Sequence, residues 1–314
     1  MPRQRMGDAM ISIRQIKSRD EWLLWRKDAL TASDIGAVAG VDKYKTPLRV
    51  YAEKMTEISP EESAIMRRGR MFEHAAYGYL QEDHPDWEWM RPNAFYADVD
   101  LKLGATPDAL ATTEDRRLIN VQIKTVSAPT FEAWNDVPPD AYVLQTVCEN
   151  LLTKADEGIL AVMVVSAYGA EIHEFPVPRH QGAELRICDI ARDFWSNVKK
   201  GVVPRPVYAM DGDVISAMHP PRDDVPVPLD LSTDNRIGDI LERRDFCKET
   251  IKAAEERIKE LDAEIVHKLD GATLATLPGW KITNKITNRK EYTVAAASFP
   301  RLLVKRLYEE EQAA

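Results

Sequence analysis

Asp108, Gln122 and Lys124 are the residues whose types and spacing offer the most chemistry in this sequence. Gln122 and Lys124 are two residues apart, so on a strand their side chains point to the same face, while Ile123 points into the core. If Asp108 lies beside them, a carboxylate, an amide oxygen and an ammonium share one small volume. The oxygens suit a hard divalent cation, and the ammonium is left to contact an anionic oxygen or a water molecule.

The flanking pattern predicts a hairpin that brings these three residues together. The polar run at residues 112–117 is typical of a turn, and residues 118–124 alternate in polarity with the period of a strand. The stretch before the turn, residues 104–108, ends on Pro107 and Asp108. We therefore expect Asp108 to meet the Gln122/Lys124 pair at one end of two paired strands.

Further blocks accompany this hairpin in a fixed order within residues 14–206. They are Trp22-x-x-x-Arg26 with residues 30–36, the stretch at residues 43–51, Arg68-Gly69-Arg70-x-x-Glu73 and, after the hairpin, Pro139-x-x-Tyr142-x-x-Gln145. Together with Pro107-Asp108 and Gln122-Ile123-Lys124, these blocks resemble the lambda-exonuclease (YqaJ-type viral recombinase) family of the PD-(D/E)xK nuclease superfamily.

The resemblance implies a restriction-endonuclease-like α/β fold, with a mixed central sheet flanked by helices, and a metal-dependent deoxyribonuclease activity. The metal, Mg²⁺ or alternatively Mn²⁺, would be held by Asp108, Gln122, Glu73 and the main-chain carbonyl of Ile123. Lys124 would orient the attacking water or stabilise the charge that develops on the phosphate.

Roles for residues outside the metal set are implied in the same way. Gln145 would lie near the nucleophilic water or the scissile phosphate. Arg26 and Ser33 would contact the 5′-terminal phosphate of the DNA. The hydroxyl of Thr106 is a further candidate phosphate ligand, with the bonding of local backbone groups as an equal alternative.

On this resemblance the chain would be a processive 5′-to-3′ exonuclease that acts on the ends of linear double-stranded DNA in phage-type recombination. A ring-shaped homotrimer, a single-strand-annealing protein as partner and a place in the cytoplasm of a bacterial host are further implications. None of these follows from residue spacing.

Gln122 departs from the pattern, because the family usually has Glu at the matching position. A glutamine oxygen can ligate a hard metal, but the site loses one negative charge. At ~4 Å and an effective dielectric constant of ~20, that charge is worth on the order of 4 kcal/mol of attraction for a cation. Three explanations stay open: a tolerated natural variant, a substitution introduced to trap a complex, and a natural loss of activity.

Two other functions compete with the exonuclease hypothesis. Gln122 motivates the first, a DNA-end binding or recombination scaffold that keeps the nuclease fold without cleavage. The second is a sequence-specific restriction-type endonuclease. An endonuclease would cut closed-circular DNA, whereas an enzyme that needs an end would not.

Composition excludes some classes of protein. The 314 residues are 44% hydrophobic and 30% charged, as in soluble globular proteins, and no apolar run approaches a membrane span, so no membrane association is expected. The three cysteines are widely separated, which argues against zinc, an iron-sulfur cluster or a disulfide framework and fits a reducing cytosol. A net charge of −9 weighs against a basic DNA-coating protein but allows local basic clusters.

The chain is expected to divide into a flexible tail (residues 1–12), the nuclease domain (13–210), a proline-rich linker (211–231) and a C-terminal region (232–314). The C-terminal region would contain one long helix over residues 232–269 and a small β-hairpin of residues 280–287 with 291–295, and a short helix at 300–310 would close the chain. The long helix has a heptad pattern, interrupted at Arg244. It would pack on its own domain, which is the simpler case, or pair with another chain.

Overall fold

The computed structural model describes residues 10–56, 58, 63–222, 229–288, 296 and 302–304. The chain divides into two compact units, Met1–Pro220 and Pro221–Ala314. Residues 1–9 of the expected tail, residues 223–228 of the expected linker and the strand expected at 291–295 lie outside the described residues, as does most of the helix expected at 300–310.

The described elements alternate between strands and helices through most of the first unit. The helices are α1 (Arg19–Asp28), α2 (Ala32–Val38), α3 (Pro47–Met55), α4 (Ala64–Asp83), α5 (Ala128–Glu132), α6 (Asp140–Thr153), α7 (Gln181–Lys199), α8 (Gly212–Met218) and α9 (Ile237–Leu269). The strands are β1 (Ile11–Gln15), β2 (Leu30–Thr31), β3 (Glu88–Met90), β4 (Ala94–Asp98), β5 (Leu103–Ala105), β6 (Ala109–Thr112), β7 (Leu118–Ser127), β8 (Glu157–Val165), β9 (Ala170–Pro178), β10 (Leu274–Leu277) and β11 (Trp280–Thr283).

A five-stranded mixed sheet, in the order β3-β6-β7-β8-β9, forms the centre of the first unit. β7 and β8 are parallel, and the other neighbours are antiparallel. Parallel neighbours need a crossover connection, and α6 lies in the one between β7 and β8. A second sheet, in the order β1-β4-β5-β2, stands beside it. The expected α/β fold class, a mixed central sheet flanked by helices, is confirmed.

Different helices cover the two faces of the central sheet. Along β8, Leu160 and Val162 belong to the core that contains residues of α6 and α7, whereas Ala161 and Met163 pack with residues of α4. Ile123 on β7 also packs on the α4 side. The side chains of Gln122 and Lys124 therefore point to the α6 face, and the expected sharing of one face, with Ile123 in the core, is observed.

Helices α2 and α6 approach each other closely at Gly36. A Cβ atom at this position would lie 2.6 Å from the Cβ atom of Ala141, which is closer than real Cβ contacts come. Glycine at position 36 therefore allows α2, which carries Ser33, to pack directly on α6, which carries Gln145.

The sequence predicts one edge strand over residues 87–97, interrupted at Arg91-Pro92, but these residues form two strands in different sheets. β3 is an edge strand of the central sheet, whereas β4 is buried throughout and lies between β1 and β5. Pro92 lacks a backbone donor for a ladder, and Asn93 has a positive φ of 43° that turns the chain. The first strand of the second sheet begins at Ile11, inside the expected tail, where Ile11 pairs with Asp98.

Residues 211–218 lie in the stretch expected to be a linker, but they form part of the first unit. Asp211 is fully buried and accepts hydrogen bonds from the hydroxyl of Thr46 and from the backbone N–H of Val207. Helix α8 follows, and its Val214 packs against Leu48 of α3. The buried aspartate ties the start of α8 to the start of α3.

The second unit contains α9 and a two-stranded hairpin. α9 has 33 residues and begins at Ile237, five residues later than expected. β11 pairs with the preceding β10, and the partner expected at residues 291–295 lies outside the described residues. Pro278 and Gly279 make the tight turn between them, and Gly279 has the positive φ of 82° that such a turn requires. Among the described helices, none has the length and apolar character needed to cross a membrane.

Candidate active site

A cleft of ≈ 880 Å³ lies beside β7 and is lined by residues of both α4 and α6. All nine residues selected from the sequence line it: Arg26, Ser33, Glu73, Thr106, Asp108, Gln122, Ile123, Lys124 and Gln145. Arg91, Tyr142 and Glu149, which were not selected, also line it. The fold therefore brings together four parts of the chain that are far apart in sequence: residues 26–33, Glu73, the hairpin residues 106–124, and Gln145.

Two oxygens converge on the amide nitrogen of Gln122. Asp108 lies where the chain leaves the second sheet and enters β6, and its carboxylate accepts hydrogen bonds from Gln122 Nε2 and from the backbone N–H of Ile123, the latter at 2.8 Å. Gln122 Nε2 also donates to the carbonyl oxygen of Ile123 at 3.2 Å. The carboxylate of Asp108 and the carbonyl of Ile123 thus point at one position, which the glutamine amide group fills.

The orientation of this amide is set by a chain of hydrogen bonds that begins at Lys124. The Lys124 ammonium, which can only donate, bonds to Gln145 Oε1 at 2.8 Å. Gln145 Nε2 must then face Gln122 Oε1 at 2.6 Å and Glu149 Oε1 at 3.0 Å. With its oxygen engaged by Gln145, Gln122 presents its NH₂ group to Asp108. The Lys124 ammonium also lies 5.0 Å from the ring centre of Tyr142.

Two carboxyl groups at the floor of the cleft have raised pKa values. Burial, together with the charge of Glu73, raises the pKa of Asp108 to about 7, against the opposing charge of Lys124. Burial and the charge of Asp108 raise the pKa of Glu149 to about 8, and the hydrogen bond from Gln145 opposes this. The cleft therefore disfavours two ionised carboxylates, and a bound cation would favour their ionisation.

Glu73 projects from α4 and forms an ion pair with Arg91. The other guanidinium nitrogen of Arg91 lies 2.8 Å from Nδ1 of His74, so His74 faces Arg91. The charge of Glu73 acts on Asp108, but no direct hydrogen bond joins the two carboxylates among the described contacts. Arg91 thus partly neutralises Glu73 at the edge of the cleft.

The oxygen atoms of the cleft fit a hard divalent cation that takes only a few of its ligands from the protein. Within residues that the structure describes, no three His, Cys, Asp or Glu side chains are grouped as metal ligands. Mg²⁺, however, usually keeps several waters and binds one or two carboxylates. The carboxylate of Asp108 and the carbonyl of Ile123 supply two converging oxygens, and Glu73 adds a carboxylate to the same cleft. Gln122 presents its nitrogen, not its oxygen, to this position.

The candidate phosphate ligands form one connected cluster. Arg26 donates to the Ser33 hydroxyl at 3.1 Å, and its guanidinium group stacks on the Trp22 ring at 4.8 Å. Trp22 Nε1 donates to the Thr106 hydroxyl at 3.0 Å. Trp22 therefore connects Arg26 and Ser33, which lie on α1 and α2, to Thr106, which lies two residues before Asp108.

A buried ion-pair network supports this cluster. Asp34 is 1% exposed and pairs with Lys45 and Lys54, each at 2.8 Å. Burial opposes ionisation, but the charges of Lys54, Lys45 and Arg26 outweigh it and hold the pKa of Asp34 well below its usual range. Lys54 also donates to the backbone carbonyl of Arg26 at 2.7 Å. Lys45 also pairs with Glu53 at 2.6 Å and is part of this support.

Three residues were not selected from the sequence: Arg91 and Glu149, which line the cleft, and Asp34, which supports the cluster of candidate phosphate ligands. Glu149 follows Gln145 by one helical turn, and that spacing was a usable signal. Arg91 carries no local signal, because its contact with Glu73 exists only after α4 packs on the sheet. The same holds for Asp34, whose two lysine partners come from other segments.

Comparison with known proteins agrees with the resemblance found in the sequence. Residues 21–156 match the model of the YqaJ-like viral recombinase domain. The chain is 24% identical over 291 residues to the uncharacterized protein YqaJ of Bacillus subtilis (strain 168), with 87% of each chain covered.

Solved structures of exonucleases are among its structural neighbours. An alkaline exonuclease from Laribacter hongkongensis has a TM-score of 0.47 and 15% identity, with 63% of this chain and 99% of that chain covered. A phage related exonuclease from Haemophilus somnus 129PT has a TM-score of 0.37 and 11% identity, with 55% and 96% covered. Over residues 21–156, the chain is therefore similar to the YqaJ-like viral recombinase domain.

Proposed function

We propose that the chain is a metal-dependent deoxyribonuclease that degrades linear double-stranded DNA from its 5′ end during phage-type recombination. The similarity of residues 21–156 to the YqaJ-like viral recombinase domain supports a nuclease function in recombination at the coarser level. The observation that carries the finer proposal is the joining, in one cleft, of the Asp108 and Lys124 centre with the Arg26, Ser33 and Thr106 cluster. An enzyme that starts at a DNA end needs both a hydrolytic centre and a ligand for the terminal phosphate.

In this mechanism, the residues of the cleft bind and orient the DNA and the attacking water. Asp108, the Ile123 carbonyl and Glu73 would hold Mg²⁺ or Mn²⁺, and Gln122 would join them only after turning its amide group. The cation, when bound, supplies Lewis-acid polarisation of the scissile phosphate. Lys124, held by Gln145 and by the Tyr142 ring, would direct its ammonium to a phosphate oxygen or to the water.

The first test is digestion of 5′-phosphorylated linear duplex DNA in Mg²⁺ beside closed-circular DNA of the same sequence. We expect loss of the linear duplex and no cutting of the circle, because the cluster with Arg26 needs a free end. Nicking or linearisation of the circle would contradict the proposal and favour a restriction-type endonuclease. Binding of linear ends without any cleavage would favour the scaffold function.

Arg26→Ala is expected to remove most of the preference for a 5′-phosphate over a 5′-hydroxyl end. Hydrogen bonds to charged groups are worth about 1.5–3 kcal/mol, so the ratio of the two kcat/KM values should fall by roughly 10-fold or more. The matched control is Arg19→Ala, an exposed arginine on the same helix. An unchanged preference in Arg26→Ala would exclude this residue as the phosphate ligand.

The scaffold function remains the second candidate, and one observation favours it. The NH₂ group of Gln122 fills the position at which Asp108 and the Ile123 carbonyl converge, where a cation would otherwise bind. A chain in which that group never leaves would keep DNA-end binding through Arg26 and Ser33 but would not hydrolyse DNA.

Assembly and partners are proposed from the family resemblance alone. They are a ring-shaped homotrimer, which would make degradation processive by enclosing the DNA, and a single-strand-annealing protein that would receive the exposed strand.

A further inference from the structure

Helix α9 carries a seven-residue repeat along its length. Its a positions are Ile237, Arg244, Ile251, Ile258 and Ile265, and its d positions are Ile240, Cys247, Ala254, Leu261 and Lys268. A repeat kept in register over more than three heptads is a coiled-coil pattern, since a straight helix packed on a globular core drifts away from a strict period of seven. The pattern therefore indicates a partner helix with the same repeat.

The apolar side chains of this repeat are exposed. Ile251 and Ile258 have 58% and 56% of their surface accessible, and Ile240, Leu261 and Ile265 have 41% to 46%. Of the α9 residues, only Leu269 is buried. These five apolar positions of the repeat are therefore exposed to solvent in the part of the chain that the structure describes.

The repeat is complementary to itself when two copies run antiparallel. In the register centred between Lys252 and Ala253, each a residue faces a d residue of the second copy. Ile251 then faces Ala254, Ile258 faces Cys247 and Ile265 faces Ile240 of the second copy. Arg244, the polar interruption, faces Leu261 of the second copy.

The charges that flank the repeat select this arrangement. In it, Arg243 faces Glu264 and Lys248 faces Glu255 of the second copy, and two-fold symmetry repeats both pairs. The remaining flanking positions pair Leu241 with Asp262 and Thr250 with Arg257. No flanking pair brings like charges together.

Other arrangements bring like charges together. A parallel, in-register pair places Arg244 against Arg244 in the core and Arg243 beside Lys248. The antiparallel register can also shift by one heptad in either of two directions. A shift in one direction places Glu255 of the two copies against each other, and a shift in the opposite direction does the same for Lys248. Like charges at such positions are destabilising and suppress the wrong pairing.

We propose that α9 is a dimerisation element, which pairs with α9 of a second copy of this chain as an antiparallel two-stranded coiled coil. The proposal does not depend on nuclease activity. It is also separate from the proposed trimeric ring, because a ring formed by the first unit would survive the loss of α9 pairing.

Light scattering after gel filtration of the full chain tests the pairing. We expect the double variant Ile251→Lys/Ile258→Lys to reduce the particle mass to half or less of that of the unsubstituted chain. Glu249→Lys is the control, because it adds the same side chain on the outer face of α9. An equal mass for the double variant and the unsubstituted chain overturns the proposal and favours packing within one chain or another partner. Helical circular dichroism checks that α9 remains folded.

Disulfide trapping tests the orientation. Cys247 is the exposed cysteine of the chain, and in the antiparallel register two copies of it lie ~16 Å apart along the axis, too far to bridge. Mild oxidation should therefore link Ile258→Cys chains through Cys247 and the new cysteine, and should link neither the unsubstituted chain nor Cys247→Ala/Ile258→Cys. A Cys247–Cys247 disulfide in the unsubstituted chain would indicate parallel helices and overturn the proposal.

Discussion

Asp108→Ala is expected to abolish the Mg²⁺-dependent degradation of linear duplex DNA. The substitution removes the side-chain carboxylate that converges with the Ile123 carbonyl, and with it the main charged ligand of the proposed cation. Electrostatic stabilisation by a metal is worth several kcal/mol, so the rate under single-turnover conditions should fall by ~10³-fold or more. The protein should stay folded, because the alanine replaces a carboxyl group whose pKa is already raised by burial.

Asp115→Ala is the matched control for this experiment. Asp115 lies in the turn between β6 and β7, is exposed, and accepts a hydrogen bond from Thr113 outside the cleft. Its substitution should leave the rate unchanged. Retention of a tenth or more of the activity by Asp108→Ala would place the hydrolytic centre elsewhere.

The same carboxylate predicts a dependence on pH. Because the pKa of Asp108 is about 7 and the cation binds the ionised form, the rate at subsaturating Mg²⁺ should increase as the pH rises through 7. Saturating Mg²⁺ should move this increase to lower pH, because the bound cation favours ionisation.

Gln122→Glu is expected to tighten Mg²⁺ binding and to destabilise the metal-free protein. The new carboxylate would keep one oxygen as acceptor for Gln145 and would turn the other to Asp108 and the Ile123 carbonyl. Without a cation, an oxygen of the new carboxylate then faces an oxygen of Asp108 and the carbonyl oxygen of Ile123, with no hydrogen-bond donor between them. This arrangement should lower the free energy of unfolding in EDTA by about 1–3 kcal/mol. With a cation, the added charge is worth up to ~4 kcal/mol, which allows as much as ~10³-fold in affinity.

Thermal unfolding in EDTA and across a Mg²⁺ titration measures both effects in one experiment. The control is Gln15→Glu, which adds the same charge at an exposed position of β1. It should change neither the stability in EDTA nor the affinity for Mg²⁺. Equal Mg²⁺ affinities for Gln122→Glu and the unsubstituted chain would show that position 122 does not contact the cation.

DNA digestion by the same variant then distinguishes the explanations for Gln122. Similar rates for Gln122→Glu and the unsubstituted chain would make Gln122 a tolerated ligand. Cleavage by Gln122→Glu alone would make the chain a disabled form of the enzyme. If neither cleaves but both bind DNA ends, the chain is a scaffold.

Local patterns predicted the elements around the site well. The alternation at residues 118–124 correctly predicted which side chains of β7 share a face. The sequence also contains a nearly continuous apolar run at residues 158–165, which is typical of a strand buried on both faces, and β8 is that strand. These signals are local, because they depend on which side chains of one strand are covered. The division of residues 87–97 between two sheets was not predicted, since strand partners are set by long-range contacts that the sequence does not display.

The site shows the same division between local and long-range information. The sequence located nine of the residues that line the cleft, although their roles stay predictions. What the sequence could not give is the direction of each hydrogen bond. Gln122 presents its nitrogen to Asp108 because Lys124 donates to the oxygen of Gln145, and Gln145 in turn donates to the oxygen of Gln122. This chain of hydrogen bonds forms only when β7 and α6 are in contact.

The close contact between Gly36 and Ala141 bears on how the two parts of the proposed site are spaced. α2 carries Ser33 and α6 carries Gln145, so their separation helps to set the distance between the proposed phosphate ligand and the proposed hydrolytic centre. A bulkier residue at position 36 would push the two helices apart, so this single glycine helps to fix the distance between the place where the DNA end would be held and the place where the bond would be cut.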